Sequence, residues 1–367
     1  MEQRSWTQTQ LAKQLGVSQA WISKVCRGVA DTGLARAQEL LSRVGWEVRF
    51  SPSVEEPVER REFLAAAASV VFVPSTANAD PYLDHNYVRT LTDSLARSRY
   101  ELGGMPLISR ALVHTRHVGA LRISSLSTQL QEAASDLMYQ VSVTLYDAGQ
   151  LAQSEHAGTV ALELAHHAQD FPAQARAYDA LSRVALYRSD STRALQYAQR
   201  GLRIPDLPAS RASSLYMRLG RALVSIRGHD RDARNALETA LDAHGLSPFA
   251  EAALGGDVAI GLSQLGEYDH ANVLLRKAAD AMGQYSPLFQ AQYLGRQAQT
   301  AIRAGRPGLT AEYMGTLTRA LPFISSARVN TRVREILNRT KQWERIPEVH
   351  IARERLHGML APETTSS

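Results

Sequence analysis

The sequence predicts an all-α chain: a small N-terminal unit built on two short helices, followed by a long α-solenoid of stacked helical pairs. Three observations carry this expectation. Ala, Leu and Arg are abundant and long β-branched runs are few across the 367 residues, a composition that favours helix over strand. Residues 7 to 28, TQTQLAKQLGVSQAWISKVCRG, hold two amphipathic segments parted by a glycine turn. Alanines recur almost evenly further on, with Ala194, Ala233, Ala271 and Ala311 standing 39, 38 and 40 residues apart, the mark of repeated helical units.

The N-terminal elements follow from side-chain chemistry. Thr7 can accept from the free N–H groups of a helix start, and Leu11, Ala12 and Leu15 then share one face. Gly16 ends that helix because it enters the left-handed region without a Cβ clash. Ser18 caps the second helix, Ile22 and Val25 form its inner face, and Gly28 closes it. Gln19, Ala20, Ser23, Lys24 and Arg27 then point away from the core, and small Ala12 lets the helices cross closely. The arrangement is a helix-turn-helix, its second helix free to enter a major groove.

The stretch resembles the phage-repressor-like Xre family in its Gln in the first helix, its Leu-Ala pair, its Gly-Val-Ser turn and its Ile-Ser. That resemblance implies double-stranded DNA as partner, with Gln19 and Lys24 reading base edges and Ala20 or Trp21 near a thymine methyl. Gln8, Ser18 and Arg27 would hold phosphates and set register, and Ser23 shares the same exposed face. Xre domains carry a further helix before this pair, whereas six residues precede Thr7 here. The expectation is a start assigned too late; the alternative is a shortened domain that no longer binds DNA.

Charge and cysteine usage agree with such a protein. The net charge is +5, and residues 1 to 50 hold seven Lys or Arg against four acids, which permits nucleic-acid binding without requiring it. The single cysteine, Cys26, cannot form an intramolecular disulfide, which suits a reducing cytoplasm. Asp31 to Val44 reads as a further helix of the N-terminal domain, taken as residues 1 to 50. In residues 45 to 50, Trp46, Val48 and Phe50 alternate with charges as in a half-buried strand. A lone strand finds no partner in a helical domain, and the similar strand of Xre antitoxins joins two subunits, so a homodimer is expected. Residues 51 to 82 read as a linker with a short Ala-rich helix. Within it, Arg60-Arg61-Glu62-Phe63-Leu64 and the apolar run after it resemble a twin-arginine export signal, but such signals sit at an N-terminus and not behind a DNA-binding motif. No span long enough to cross a membrane as a helix is expected.

From residue 83 to 360 the chain reads as helical pairs, with a short disordered tail at 361 to 367. Leu265-Gly266-Glu267-Tyr268-Asp269-His270-Ala271 resembles the turn and second helix of a tetratricopeptide (TPR) repeat, although the spacing exceeds the usual period of 34. The resemblance implies about seven pairs in a right-handed superhelix with a concave face lined by the first helix of each pair. Alignment by the turns places Tyr139, Tyr146, Asp179, Arg183, Met217, Arg221, Gln292 and Arg296 on that face. Three arginines at one repeat position point to an anionic or carboxylate-bearing effector, be it peptide, small molecule or protein; ordinary inter-repeat ion pairs are the other reading. No phosphate-binding glycine loop, catalytic constellation or metal-ligand spacing stands out, so neither enzyme activity nor a cofactor is expected; His114, His117, His166 and His167 read as packing or surface residues. The whole chain is similar to Xre-TPR regulators of the actinobacterial type, which implies a DNA-binding transcriptional regulator with an effector groove. The alternative is a TPR interaction scaffold.

Overall fold

The computed structural model describes residues 80–360 together with Gln10, Ala12 and Gln19. The chain divides into two compact units, Met1–Asp80 and Pro81–Ser367. In the first, all three described residues are helical, Ala12 is buried, and Gln10 and Gln19 are exposed. The strand at 45 to 50, the linker and export-like stretch up to residue 79, and the tail at 361 to 367 lie outside the described residues.

The second unit contains fourteen α-helices among the described residues and no strand. An entry pair, α1 (His85–Leu102) and α2 (Ile108–Gly119), precedes six repeated pairs. The first helices of these pairs are α3 (Thr128–Asp147), α5 (Phe171–Tyr187), α7 (Ala209–Leu223), α9 (Pro248–Gln264), α11 (Pro287–Arg303) and α13 (Ala327–Arg339). Their second helices are α4 (Leu151–His167), α6 (Ser191–Leu202), α8 (Asp230–Leu241), α10 (Tyr268–Met282), α12 (Pro307–Ala320) and α14 (Pro347–His357). Each first helix packs on its own second helix and on the first helices before and after it. The long period has a local cause: α5, α9 and α11 each run 17 residues.

Sequence punctuation accounts for the starts. Ser127, Asp170, Ser247, Ser286 and Ser326 each accept from a backbone N–H of the first turn of α3, α5, α9, α11 and α13, satisfying donors that have no intrahelical partner. Proline stands in the first turn of α5, α9 and α11, where its missing N–H costs nothing. The recurring alanines fall on the second helices, and Ala194, Ala233 and Ala271 have no exposed surface. Short side chains draw the helices together: Ser142 Oγ donates to Ser154 O at 2.8 Å, Ser154 Oγ returns a bond to Ser142 O at 2.7 Å, and Ser182 Oγ donates to Ala194 O at 2.9 Å. One apolar core runs from α7 to α14 and another fills α1 to α5.

Two features differ from the sequence expectation. Pro81 and Tyr82, assigned to the linker, belong to the helical unit: they form a short 3-10 turn, and Tyr82 is buried with its hydroxyl 2.6 Å from His114 Nδ1 and its ring stacked on His117. The concave face is also not open. Helix α1 buries Val88, Leu91 and Leu95 and packs on α3, while its C-terminal end reaches across to α11. Ser286 Oγ donates to Tyr100 O at 2.9 Å, Ser325 N donates to Leu102 O at 2.7 Å, and Met105 N donates back to Ser325 O at 3.1 Å. The repeats therefore close upon themselves. The contacts responsible join residues 186 to 223 apart and leave no periodic trace.

Asp147 locks this closure. It is fully buried at the end of α3 and accepts from Gly104 N at 2.7 Å, Ser326 Oγ at 2.8 Å and Gln292 Nε2 at 3.1 Å, with Arg328 at 3.7 Å. One carboxylate thus ties together α3, the turn after α1, α11 and the start of α13. Two glycines make room for the turn. Gly103 sits at φ +89°, and a Cβ there would lie 2.3 Å from Ser325 O; at Gly104 it would lie 2.4 Å from Thr144 O.

Candidate ligand-binding cavity

Closure leaves a small cavity whose walls come from α1 and from every first helix. Five of these helices contribute arginines: Arg99 from α1, Arg183 from α5, Arg218 and Arg221 from α7, Arg296 from α11, and Arg328 and Arg332 from α13, while α3 contributes Tyr146 and α9 contributes Asp257. Tyr146, Phe289 and Tyr293 complete the wall on the aromatic side. The space open to water centres is about 30 Å3, room for one or two water molecules.

Seven guanidiniums meet few carboxylates. Arg218, the largest side chain buried outright, donates through Nε to Asp179 at 2.8 Å and through Nη2 to Asp257 at 3.3 Å. Asp179 also accepts from Arg183 at 2.8 Å, and Arg221 lies 4.0 Å from Asp257. These bonds obey the repeat: Asp179, Arg218 and Asp257 are 39 residues apart along successive first helices, and Arg296 follows at the same interval. There the alternation fails. Arg296 turns to Gln299 Oε1 at 2.9 Å, Arg332 donates to Gln292 O at 3.2 Å, and Arg99 lies over the rings of Tyr100 and Phe289. None of these three has a carboxylate partner among the described residues.

The electrostatics record the imbalance. Burial, reinforced by Arg332, Arg221 and Arg328, pulls the Arg296 guanidinium well below the ordinary arginine value. Burial and Arg328 lower Arg332 to about 10, and burial lowers Arg99 and Arg221. Burial opposes ionisation of the Tyr146 phenol, yet Arg328, Arg183, Arg221 and Arg218 together bring it below its usual value. The carboxyls of Asp179 and Asp257 are likewise held down by Arg218 and its neighbours against the effect of burial. Several guanidinium nitrogens are out of contact with solvent and have no protein acceptor: Nε of Arg99, Arg183, Arg221, Arg296 and Arg328, and Nη1 of Arg218. Buried cationic donors without acceptors are costly. The cavity therefore carries an excess of positive charge with donors left over.

The structure brings Tyr146, Arg183, Arg221, Gln292 and Arg296 of the sequence-derived set to the lining of one cavity. Asp179 stands just behind, bonded to Arg183 and Arg218. Tyr139 faces Arg176 instead, 5.5 Å from the guanidinium to its ring. Met217 is a correction: it is buried in the apolar core, and its neighbour Arg218 enters the cavity. At about 100° per residue Met217 lies about 40° to one side of Arg221 and Arg218 about 60° to the other, and only the second side faces the cavity. The three arginines assigned to one repeat position are also resolved differently, since Arg296 continues the series of Asp179, Arg218 and Asp257. That 39-residue interval could have found Arg218 and Asp257 in the sequence. Nothing in the sequence marks Arg99, which closure brings in; Arg328 and Arg332 stand on α13, which packs beside α11 as the last first helix of the stack.

Of the DNA-facing candidates, only Gln19 is described, helical and exposed; Gln8, Ser18, Ala20, Trp21, Ser23, Lys24 and Arg27 lie outside the described residues. Among the described residues, no group of His, Cys, Asp and Glu could hold a metal ion, and no helix is long and apolar enough to cross a membrane.

An N-terminal helix-turn-helix domain followed by TPR-like helical pairs defines the class: residues 1–45 match the helix-turn-helix family HTH_3, and the pairs are those described above. No curated protein matches the chain in sequence. Among solved structures it is similar to a Rap protein complexed with competence and sporulation factor, at 14% identity over 95% of this chain and 97% of that one, TM-score 0.49. It is also similar to the apo form of RapI, at 11% identity over 95% and 96%, TM-score 0.36. A third likeness is YrrB, a TPR protein with an unusual peptide-binding site, at 16% identity over 58% of this chain and 94% of that one, TM-score 0.30. Similarity at this level says nothing about a ligand.

Proposed function

We propose that the protein is a cytoplasmic, sequence-specific DNA-binding transcriptional regulator, acting as a homodimer and controlled by a negatively charged effector held in the arginine-lined cavity. The observation that carries the control half is the convergence of seven arginines on one cavity, more than its carboxylates can neutralise. The DNA half rests on the helix-turn-helix match over residues 1–45 and on exposed, helical Gln19.

The coupling is a difference in affinity. An effector shifts an equilibrium only as far as it binds one state better than the other. The cavity exists only while α1 is clasped against α11 and α13, because these helices supply Arg99, Arg296, Arg328 and Arg332. An anion bound there stabilises the closed form. Helix α1 is the first long helix after the N-terminal unit, so a change in its docking reaches the DNA-reading unit along the chain.

Genome-wide immunoprecipitation followed by binding of the full chain to the recovered sequences tests this. The expected result is a small set of sites sharing an inverted repeat, bound with an affinity that falls steeply with salt as phosphate contacts are lost. Absence of discrete sites would sink the reading and favour an interaction scaffold.

A further inference from the structure

We infer that the cavity is a phosphoryl-binding site: its ligand is a compact tetrahedral dianion, either inorganic phosphate or the phosphoryl end of a larger molecule. This rests on the reading of the cavity as the effector site and names the chemistry of that effector.

Charge argues first. Arg183, Arg218, Arg221 and Arg328 are partnered by Asp179, Asp257 and Asp147, whereas Arg99, Arg296 and Arg332 have no acid. A peptide carboxylate would balance one of these charges; a phosphoryl group brings about two. Donor geometry argues second. The six buried nitrogens without an acceptor belong to α1, α5, α7, α11 and α13, and so approach from several directions. A planar carboxylate offers two oxygens in one plane, while a phosphoryl group presents three terminal acceptors disposed around phosphorus. Size argues third, since a cavity with about 30 Å3 open to water centres admits the compact end of a ligand and does not bury a length of chain.

The ion-pair ladder explains part of the cluster without a ligand. Arg218 links two repeats through Asp179 and Asp257 and has a structural task. Arg296 links no acid and sits among like charges, so it weakens the unliganded fold; Arg99 links no acid and rests only on the rings of Tyr100 and Phe289. A ligand is what gives them a use.

The test is isothermal calorimetry and thermal melting of the full chain with inorganic phosphate, pyrophosphate or a nucleoside triphosphate, against sodium acetate and sodium chloride at matched ionic strength. Saturable binding and a raised melting temperature with at least one phosphoryl ligand, absent with acetate and chloride, is the expected result. Preference for inorganic phosphate over the larger ligands, or the reverse, identifies the source. Arg296→Met should melt no lower than the parent without ligand and bind the phosphoryl ligand at least about tenfold more weakly; Arg99→Met serves equally if the first variant does not fold. No saturable binding, equal stabilisation by acetate, or undiminished binding by a folded variant would overturn the proposal. Failure here with an intact operator complex removes the phosphoryl assignment and leaves the regulator. Binding that leaves operator affinity unchanged removes effector control and leaves the anion site.

Discussion

Arg218 and His114 show how single buried groups set stability. Arg218 holds two carboxylates of neighbouring repeats at once. Arg218→Met should destabilise the helical unit by about 2 to 3 kcal/mol in urea unfolding, near the low end for a broken buried pair because Arg183 and Arg221 still attend the two acids. His114 is the opposite case. Burial, then Arg110 and His117, lower its pKa from 6.5 to about 3, and as a neutral ring it shares a hydrogen bond of 2.6 Å with the Tyr82 hydroxyl. Between those values the unfolded chain binds a proton that the folded chain does not. Its stabilising effect is therefore full above about pH 6.5 and is lost as pH falls toward 3. Lowering pH from 7 to 5 should cost about 1 to 2 kcal/mol through this group. His114→Gln, which keeps an acceptor without titrating, should flatten that slope in unfolding curves taken across the range. Asp179 and Asp257, with depressed values in the fold, contribute in full above about pH 4 and lose their effect only below it, so the two windows separate.

At the scale of elements, the clasp between α1 and the α11–α13 side is the decisive feature. It depends on the turn at Gly103 and Gly104, where no side chain fits against Ser325 O and Thr144 O. Gly104→Ala should force that turn away from Asp147 and weaken the clasp, at a cost of about 2 kcal/mol or more. Hydrogen exchange would locate the damage: faster exchange is expected in α1 and in the α12–α13 connection, with α5 to α10 unchanged. Uniform acceleration throughout would show that the clasp is not a separable element.

For the whole molecule, the regulator reading separates the DNA-reading residues from the helical unit. Replacing Gln19 and Lys24 together with Ala should lower operator affinity by at least about tenfold, as expected for lost base contacts, while the melting of the helical repeats stays the same. Light scattering of the parent chain at micromolar concentration should return the mass of a dimer. The mass of one subunit would leave each helix-turn-helix to read its half-site alone.

Periodicity and caps are local, and the sequence alone determined what is local. The alternation of helix and turn, the small residues at Ala194, Ala233 and Ala271, the capping serines and aspartates, and the helix-turn-helix around Gln19 can all be read from neighbours within one or two turns. So could the presence of Arg183 and Arg221 on first helices, since position within a repeat sets facing. Met217 marks the limit of that reading, because it and Arg218 flank Arg221 on opposite sides of one helix and only packing decides which of them faces inward. What tertiary structure decided is the closure. Asp147 meets Gln292 and Ser326, and Ser286 meets Tyr100, across 145 to 186 residues; no periodic signal carries contacts between the first helix and the last pairs. That closure turns an expected open groove into a small cavity and adds Arg99 to the arginines that the stacked first helices already hold in place. The charge imbalance on which the proposed ligand rests is a product of the fold, assembled from residues that are unremarkable one by one.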